Sequence, residues 1–207
     1  MKNIVFITAI PNAKTADGLD KMEYKEYCLN TWKYWCKKND VELFLLEDAV
    51  IDADEMSATW QRYYLFDILD NSGIEYDQIA MVDLDTMIKW DTPNFFELTN
   101  NELSAVKDNE VVEWTYNSTK GYQHMFPDVE FGWWDYVNAG FVVVNKKHKD
   151  LFKTMVDFYH KHKEHLLDLQ YNKLRKGSDQ TPFNYMIRKM GTDIKYLPKV
   201  YNMTSLH

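Results

Sequence analysis

The sequence predicts an α/β domain, a mostly parallel central sheet flanked by helices. Three observations carry that expectation. Apolar runs of strand length alternate with amphipathic stretches of helical spacing, strand–helix–strand–helix–strand through the first half of the chain. That order demands right-handed crossovers and a parallel sheet. The 207 residues suffice for one sizeable core, and no repeat, low-complexity tract or linker divides them, so residues 1–207 are read as a single domain. A composition of 45% hydrophobic and 27% charged residues is that of a globular chain and excludes disorder.

Asn3–Ile10 is an almost unbroken apolar run ending at Pro11, which reads as a strand buried on both faces. Asp20–Asn39 places Cys28, Trp32, Trp35 and Cys36 at the spacing of an amphipathic helix. Val41–Leu46 is a second strand. Ser57–Leu69 is a second helix, with Leu65, Ile68 and Leu69 on its apolar side and Asn71-Ser72-Gly73 as its stop. Gln78–Val82 is a short apolar strand running straight into Asp83, and Leu103–Lys107 is another strand. Glu110–Asp135 has no clean period and is expected to be an irregular, function-bearing excursion. Tyr136–Asn145 is a strand, Lys149–Leu169 a long helix, and Thr181–Met190 a helix with Pro182 in its first turn. Ile194–Leu197 closes the pattern as a strand. In such sheets ligands bind at the carboxyl ends of the strands.

Charge narrows the partners. With 24 Lys+Arg against 32 Asp+Glu the net charge is −8, which argues against non-specific nucleic-acid binding. Seven Trp, 14 Tyr and 11 Phe against 7 Gly mean either a bulky core or aromatic faces spent on a ligand. Cys28 and Cys36 fall about 12 Å apart along one helix at its 1.5 Å rise, too far for a disulfide. Unpaired thiols point to a reducing, cytoplasmic compartment. No apolar run approaches the ~20 residues of a transmembrane segment. Ile4–Ile10 lacks the small-x-small cleavage site of a signal peptide.

The chemistry concentrates at Asp83-Leu84-Asp85, which leaves the apolar strand Ile79-Ala80-Met81-Val82. Two carboxylates one residue apart repel when both are ionised. A divalent cation removes that cost, and hard oxygen donors suit Mn²⁺ or Mg²⁺, which keep further positions for water and phosphate. The competing reading has one Asp capping a turn and the other solvated.

The run MVDLDTMI (Met81–Ile88) resembles the Asp-x-Asp strand of GT-A-fold glycosyltransferases. NAGFVVVN (Asn138–Asn145), GSDQTPFN (Gly177–Asn184) and LPKVYN (Leu197–Asn202) are similar, in the same order, to three segments of glycogenin-like family 8 enzymes. The resemblance spans nearly the whole chain. It implies a single GT-A-like, Rossmann-like domain using a divalent metal, Mn²⁺ or Mg²⁺. The activity implied is transfer of a hexose from a UDP-sugar donor to a saccharide or glycan acceptor, with a leaning towards retention.

Carried over by position, Asp83 and Asp85 would hold the metal, and Asp83, Leu84 and Asp85 would line the donor. Arg62 would place a guanidinium on the phosphates, its alternative being an exposed helix arginine. Thr8, Ala9 and Pro11 would line the nucleobase by fold analogy. Asn138, Asp179 and Gln180 would face the transferred sugar. Asp179 would be the carboxylate nearest the anomeric carbon, its alternative being a helix N-terminal residue serving the free N–H groups. The family's third metal ligand, a histidine beyond the Tyr-Asn segment, would be His207, although the His-x-x-Gly-x-x-Lys-Pro-Trp region is missing here.

Two clusters stay open on sequence. His160, His162 and His165 spread over about 200° of a helix and read as a solvated stripe rather than a metal site. Trp114, Tyr116, Tyr122, Phe126, Phe131, Trp133, Trp134 and Tyr136 are either an acceptor platform or a local core. Rival functions leave different marks. A haloacid-dehalogenase-like phosphatase wants Thr or Val where this chain has Met87, and carries its motif after the first strand. A sugar-nucleotide pyrophosphorylase needs a glycine-rich loop that Ile10-Pro-Asn-Ala-Lys-Thr does not supply. A non-catalytic saccharide-binding module on the same fold remains the alternative.

Overall fold

Alternation along the first strand sets the architecture. In β1 (Lys2–Thr8) Ile4 and Phe6 enter one apolar layer, while Val5 and Ile7 enter the opposite one. Successive side chains of a strand point to opposite faces, so both faces must be covered. The computed structural model describes residues 2–11, 22–108, 111–174 and 179–203, and bears out this doubly buried strand. β2 (Glu42–Leu46), β3 (Tyr76–Val82), β4 (Leu103–Lys107), β5 (Val137–Asn145) and β6 (Ile194–Tyr196) complete the sheet. Its order is β2-β1-β3-β5-β4-β6.

β1 runs parallel to β2 and β3, and β4 parallel to β6. β5 runs antiparallel to both its neighbours, β3 and β4. This reversal brings the start of β5 against the carboxyl end of β3. Val82 pairs with Phe141, and one step on the Asp83 N–H donates to the Gly140 carbonyl at 2.9 Å.

Helix α1 (Lys25–Lys38) covers one face with Trp32 and Trp35. Trp35 stacks on Phe95 at 4.6 Å, and its indole N–H donates to the Thr92 carbonyl at 2.8 Å. The Trp32 N–H donates to Thr86 Oγ1 at 3.1 Å, so α1 pins the loop that follows β3. The other face carries α2 (Ala58–Gln61), α3 (Leu65–Asn71), α5 (Lys149–Asp168) and α6 (Gln180–Lys189). The expected helix over 57–69 is present but interrupted by a 3₁₀ turn, Arg62–Tyr64, which buries Arg62 and Tyr63. Its stop is at Gly73, whose φ of 67° is the left-handed conformation glycine adopts without steric cost.

The irregular excursion expected over Glu110–Asp135 is a correction. It contains helix α4 (Val112–Tyr122) and 3₁₀ turns at Gln123–Met125 and Trp133–Asp135. The helix shows no apolar period because its buried side is Thr115, Ser118, Thr119 and Tyr122. Thr115 and Thr119 donate to carbonyls four residues back, satisfying hydroxyls that a hydropathy pattern counts as solvent-facing. Among the described residues no helix is long and apolar enough to cross a membrane.

Both cysteines lie buried on α1, and burial pushes the Cys36 thiol up to about 12. Above its ordinary pKa of about 8.5 the unfolded chain releases this proton while the folded chain keeps it. Stability is therefore full below about pH 8.5 and falls towards pH 12. Iodoacetamide at pH 8.5 should leave Cys36 unmodified in the native protein and alkylate it in urea, as read by peptide mass spectrometry.

Candidate active site

The carboxyl edge of the sheet is organised by a buried arginine. Arg62, on the 3₁₀ turn, donates from Nε at 2.9 Å and from Nη2 at 2.5 Å to Asp179 Oδ2, and from Nη1 at 2.5 Å to Asp83 Oδ1. Its side chain is 5% exposed and that of Asp179 2% exposed, whereas Asp83 keeps 44% open. The Tyr63 hydroxyl adds a 2.8 Å bond to Asp179 Oδ2. Burial alone would lower the Arg62 pKa, but Asp179 and Asp83 outweigh it and hold it above the ordinary value. Burial raises the Asp83 carboxyl; Arg62 pulls it back, and Asp179 and Asp85 push it up again. Burial, then the Asp179 charge, raises the Tyr63 phenol well above its usual range, so it stays a donor.

Beside this clamp lies an amide network. Asp108, just after β4, accepts from Asn138 Nδ2 at 3.1 Å and from Gln180 Nε2 at 3.0 Å, both on Oδ2. Gln180 Oε1 accepts the Ala139 N–H at 2.9 Å, which ties α6 to β5. Asn138 Oδ1 accepts from the Gly140 N–H at 2.7 Å and from Asn202 Nδ2 at 2.9 Å. Gly140 is a spatial requirement: a β-carbon there would lie 2.6 Å from Asp83 Oδ2 and 2.9 Å from Asn138 Oδ1. Asp83, Asn138, Asp179 and Gln180 therefore share one wall.

No family model matches the chain, and no curated protein does. Among solved structures, a glycosyltransferase involved in the glycosylation of the major capsid of PBCV-1 superposes with a TM-score of 0.62. It covers 96% of this chain and 83% of that one at 9% identity. The fold is that of a glycosyltransferase. Mouse xyloside xylosyltransferase 1, in its apo form, is matched at a TM-score of 0.49 and 12% identity, over 96% of this chain and 85% of that one.

On this glycosyltransferase fold the sequence-predicted residues divide. Arg62, Asp83, Asn138, Asp179 and Gln180 converge. Arg62 is not an exposed helix arginine: it is buried, and its guanidinium bonds two carboxylates. Asp179 precedes α6 but makes no cap hydrogen bond with its side chain; the carboxylate turns to Arg62 and Tyr63 instead. Asp85 is exposed, with no hydrogen bond or ion pair among the described residues. Ala9 and Leu84 are buried in the α1-side layer, so only their backbones can face a ligand, and Pro11 is exposed. Thr8 Oγ1 is buried without a hydrogen-bond partner among the described residues, at the carboxyl end of β1. His207 lies outside the described residues.

The histidines go three ways: His160 to the Tyr64 hydroxyl at 3.1 Å, His162 against the Phe158 ring, and His165 to His124 at 2.6 Å. Among the described residues no group of three or more His, Cys, Asp or Glu is placed to hold a metal. Sequence reasoning missed Asp108 and Tyr63. Asp108 carried the same signal as Asp83, an acid leaving an apolar strand; Tyr63 carried none.

Breaking a buried ion pair from one side strands the other charge and costs about 3–5 kcal/mol. Arg62→Met should lose stability on that scale in urea denaturation, with Arg62→Lys intermediate because one ammonium cannot reproduce the planar fork.

Proposed function

We propose that the protein is a metal-dependent glycosyltransferase moving a hexose from a UDP-sugar to a saccharide or glycan acceptor. The observation that carries this reading is the pair Asp83 and Asp85 at the carboxyl end of β3, with Asp83 linked to Asp179 through Arg62 and set beside Asn138 across Gly140. The donor set fits a hard divalent cation. Asp83 Oδ1 is taken by Arg62, but Oδ2 lies over Gly140, and the Asp85 carboxylate stands exposed and unpaired among the described residues. Two oxygen donors with open positions suit Mn²⁺ or Mg²⁺. His207 is the proposed third ligand.

When bound, the cation would offset charge on the departing nucleoside diphosphate. The protein's own groups have separable tasks. Arg62 is a positioning residue that sets Asp83 and Asp179 relative to each other. Thr8 offers a buried hydroxyl at the end of β1, and with Ala9, Pro11 and Leu84 would line the nucleoside. Asp179 is the carboxylate at the transferred sugar, oriented by Arg62 and Tyr63 and flanked by Asn138 and Gln180, whose amides Asp108 aims. The glycogenin-like motifs favour retention of anomeric configuration. A cytoplasmic location suits the unpaired thiols of Cys28 and Cys36.

Thermal melting with a panel of nucleotide sugars, with and without Mn²⁺, tests the reading. A ligand at about 100 times its Kd adds ~2.7 kcal/mol, which at this chain length is roughly 5–10 °C. The expected result is that shift for a UDP-sugar with metal and none for the donor alone. Asp85→Asn should melt like the parent yet lose the metal-dependent increment. Glycan binding that survives EDTA, with no donor stabilisation, would leave only the non-catalytic module.

A further inference from the structure

Eight aromatic residues between 114 and 136 are not all core. Tyr122, Phe126 and Tyr136 are fully enclosed, at 0%, 1% and 0% exposure. Tyr116 and Trp134 remain 48% and 56% exposed. With Lys120, Glu130, Phe131 and Trp133 they line a cleft of about 540 Å³ between α4 and the turn Trp133–Asp135, a volume typical of small-molecule sites.

The exposed indole is held in place. A β-carbon on Gly132 would collide with the Trp134 ring, which therefore packs against the bare α-carbon. Trp133 meets Trp134 edge-on at 5.8 Å. The turn itself is braced from both ends. The Asp135 N–H donates to the Gly132 carbonyl at 2.9 Å, and the Asp135 carboxylate pairs with Lys107 at 2.8 Å. Arg188 of α6 donates to the Asp135 carbonyl and lies 4.1 Å over the Phe131 ring. An aromatic half open to solvent on a turn braced by β4 and α6 is preorganised for a flat partner.

The geometry points to a saccharide-binding platform in this cleft, with a pyranose ring stacked on Trp134 and hydroxyls met at the rim by Lys120 and Glu130. The chemistry selects that occupant. Sugar rings present apolar C–H faces edged with hydroxyls. The cleft pairs aromatic faces with a cation, a carboxylate and two indoles, and the side chains of Glu130, Trp133 and Trp134 make no hydrogen bond among the described residues. By contrast the Trp32 and Trp35 N–H groups are both spent inside the protein. The turn that carries the cleft is also tied to the candidate active site through the buried Tyr136. The turn runs through Tyr136 into β5, the Tyr136 carbonyl accepts the Asp108 N–H at 2.8 Å, and the Tyr136 hydroxyl meets Thr181 Oγ1 at 2.6 Å, one residue past Gln180. Calling this saccharide the acceptor rests on the transferase reading; the platform itself does not.

The test is titration of the full chain with lactose, maltose, cellobiose and xylobiose in EDTA, followed by tryptophan fluorescence and calorimetry. At least one disaccharide should bind. Trp134→Ala should weaken it by about tenfold or more, and Gly132→Val, which evicts the indole, should do the same. Trp90→Ala, which removes another exposed indole, should change nothing. Thermal melting confirms that the variants fold, and metal-dependent donor stabilisation should be unchanged in Trp134→Ala. Absence of binding by all four sugars, or binding indifferent to Trp134→Ala and Gly132→Val, overturns the platform even if the donor assay succeeds. Sugar binding that depends on Trp134 with no metal-dependent donor stabilisation upholds the platform and removes the transferase.

Discussion

A guanidinium enclosed between two carboxylates holds the working edge of this protein together. Arg62 reaches Asp83 and Asp179, 21 and 117 residues later in the chain, and neither it nor Asp179 has meaningful access to water. Charges removed from solvent lose hydration worth several kcal/mol each, and only close, hydrogen-bonded partners restore it. The 3₁₀ turn at Arg62–Tyr64, the end of β3 and the start of α6 are thus locked to one another. Displacing the turn would leave the buried Asp179 charge unmatched.

Around that lock the polar groups fall into two populations. Asn138, Gln180, Asp108 and Asn202 satisfy one another and the β5 backbone, a closed network that rigidifies because each member would be costly to leave unpaired. Asp85, the second oxygen of Asp83 and the hydroxyl of Thr8 stay unbonded on the same edge among the described residues. In the proposed reading, this rigid wall beside hard donors is what a cation and a charged ligand would complete without rearranging the fold.

Much of this was legible in the sequence. Doubly apolar strands and amphipathic helices follow from burial alone, and an acid pair leaving a buried strand is conspicuous because nothing in the core can use it. Asp108 was open to the same reasoning and was passed over. Helix α4 was hidden for a chemical reason: its core-facing side is built of threonines and a serine, the threonines satisfied by their own backbone. The aromatic stretch could not be apportioned, because Phe126 and Trp134 look alike in sequence and differ only in what surrounds them.

Residue order alone determined the layering of sheet and helices and the placement of Asp83 and Asp85 at a strand end, since periodicity and burial are local properties. Tertiary structure decided the partners. The antiparallel course of β5 delivers Gly140 and Asn138 to Asp83, and the interrupted helix at Arg62–Tyr64 makes Arg62 a buried clamp between carboxylates. Those outcomes depend on strand direction and on which charges are shut away from water together, and both are settled only when distant segments meet.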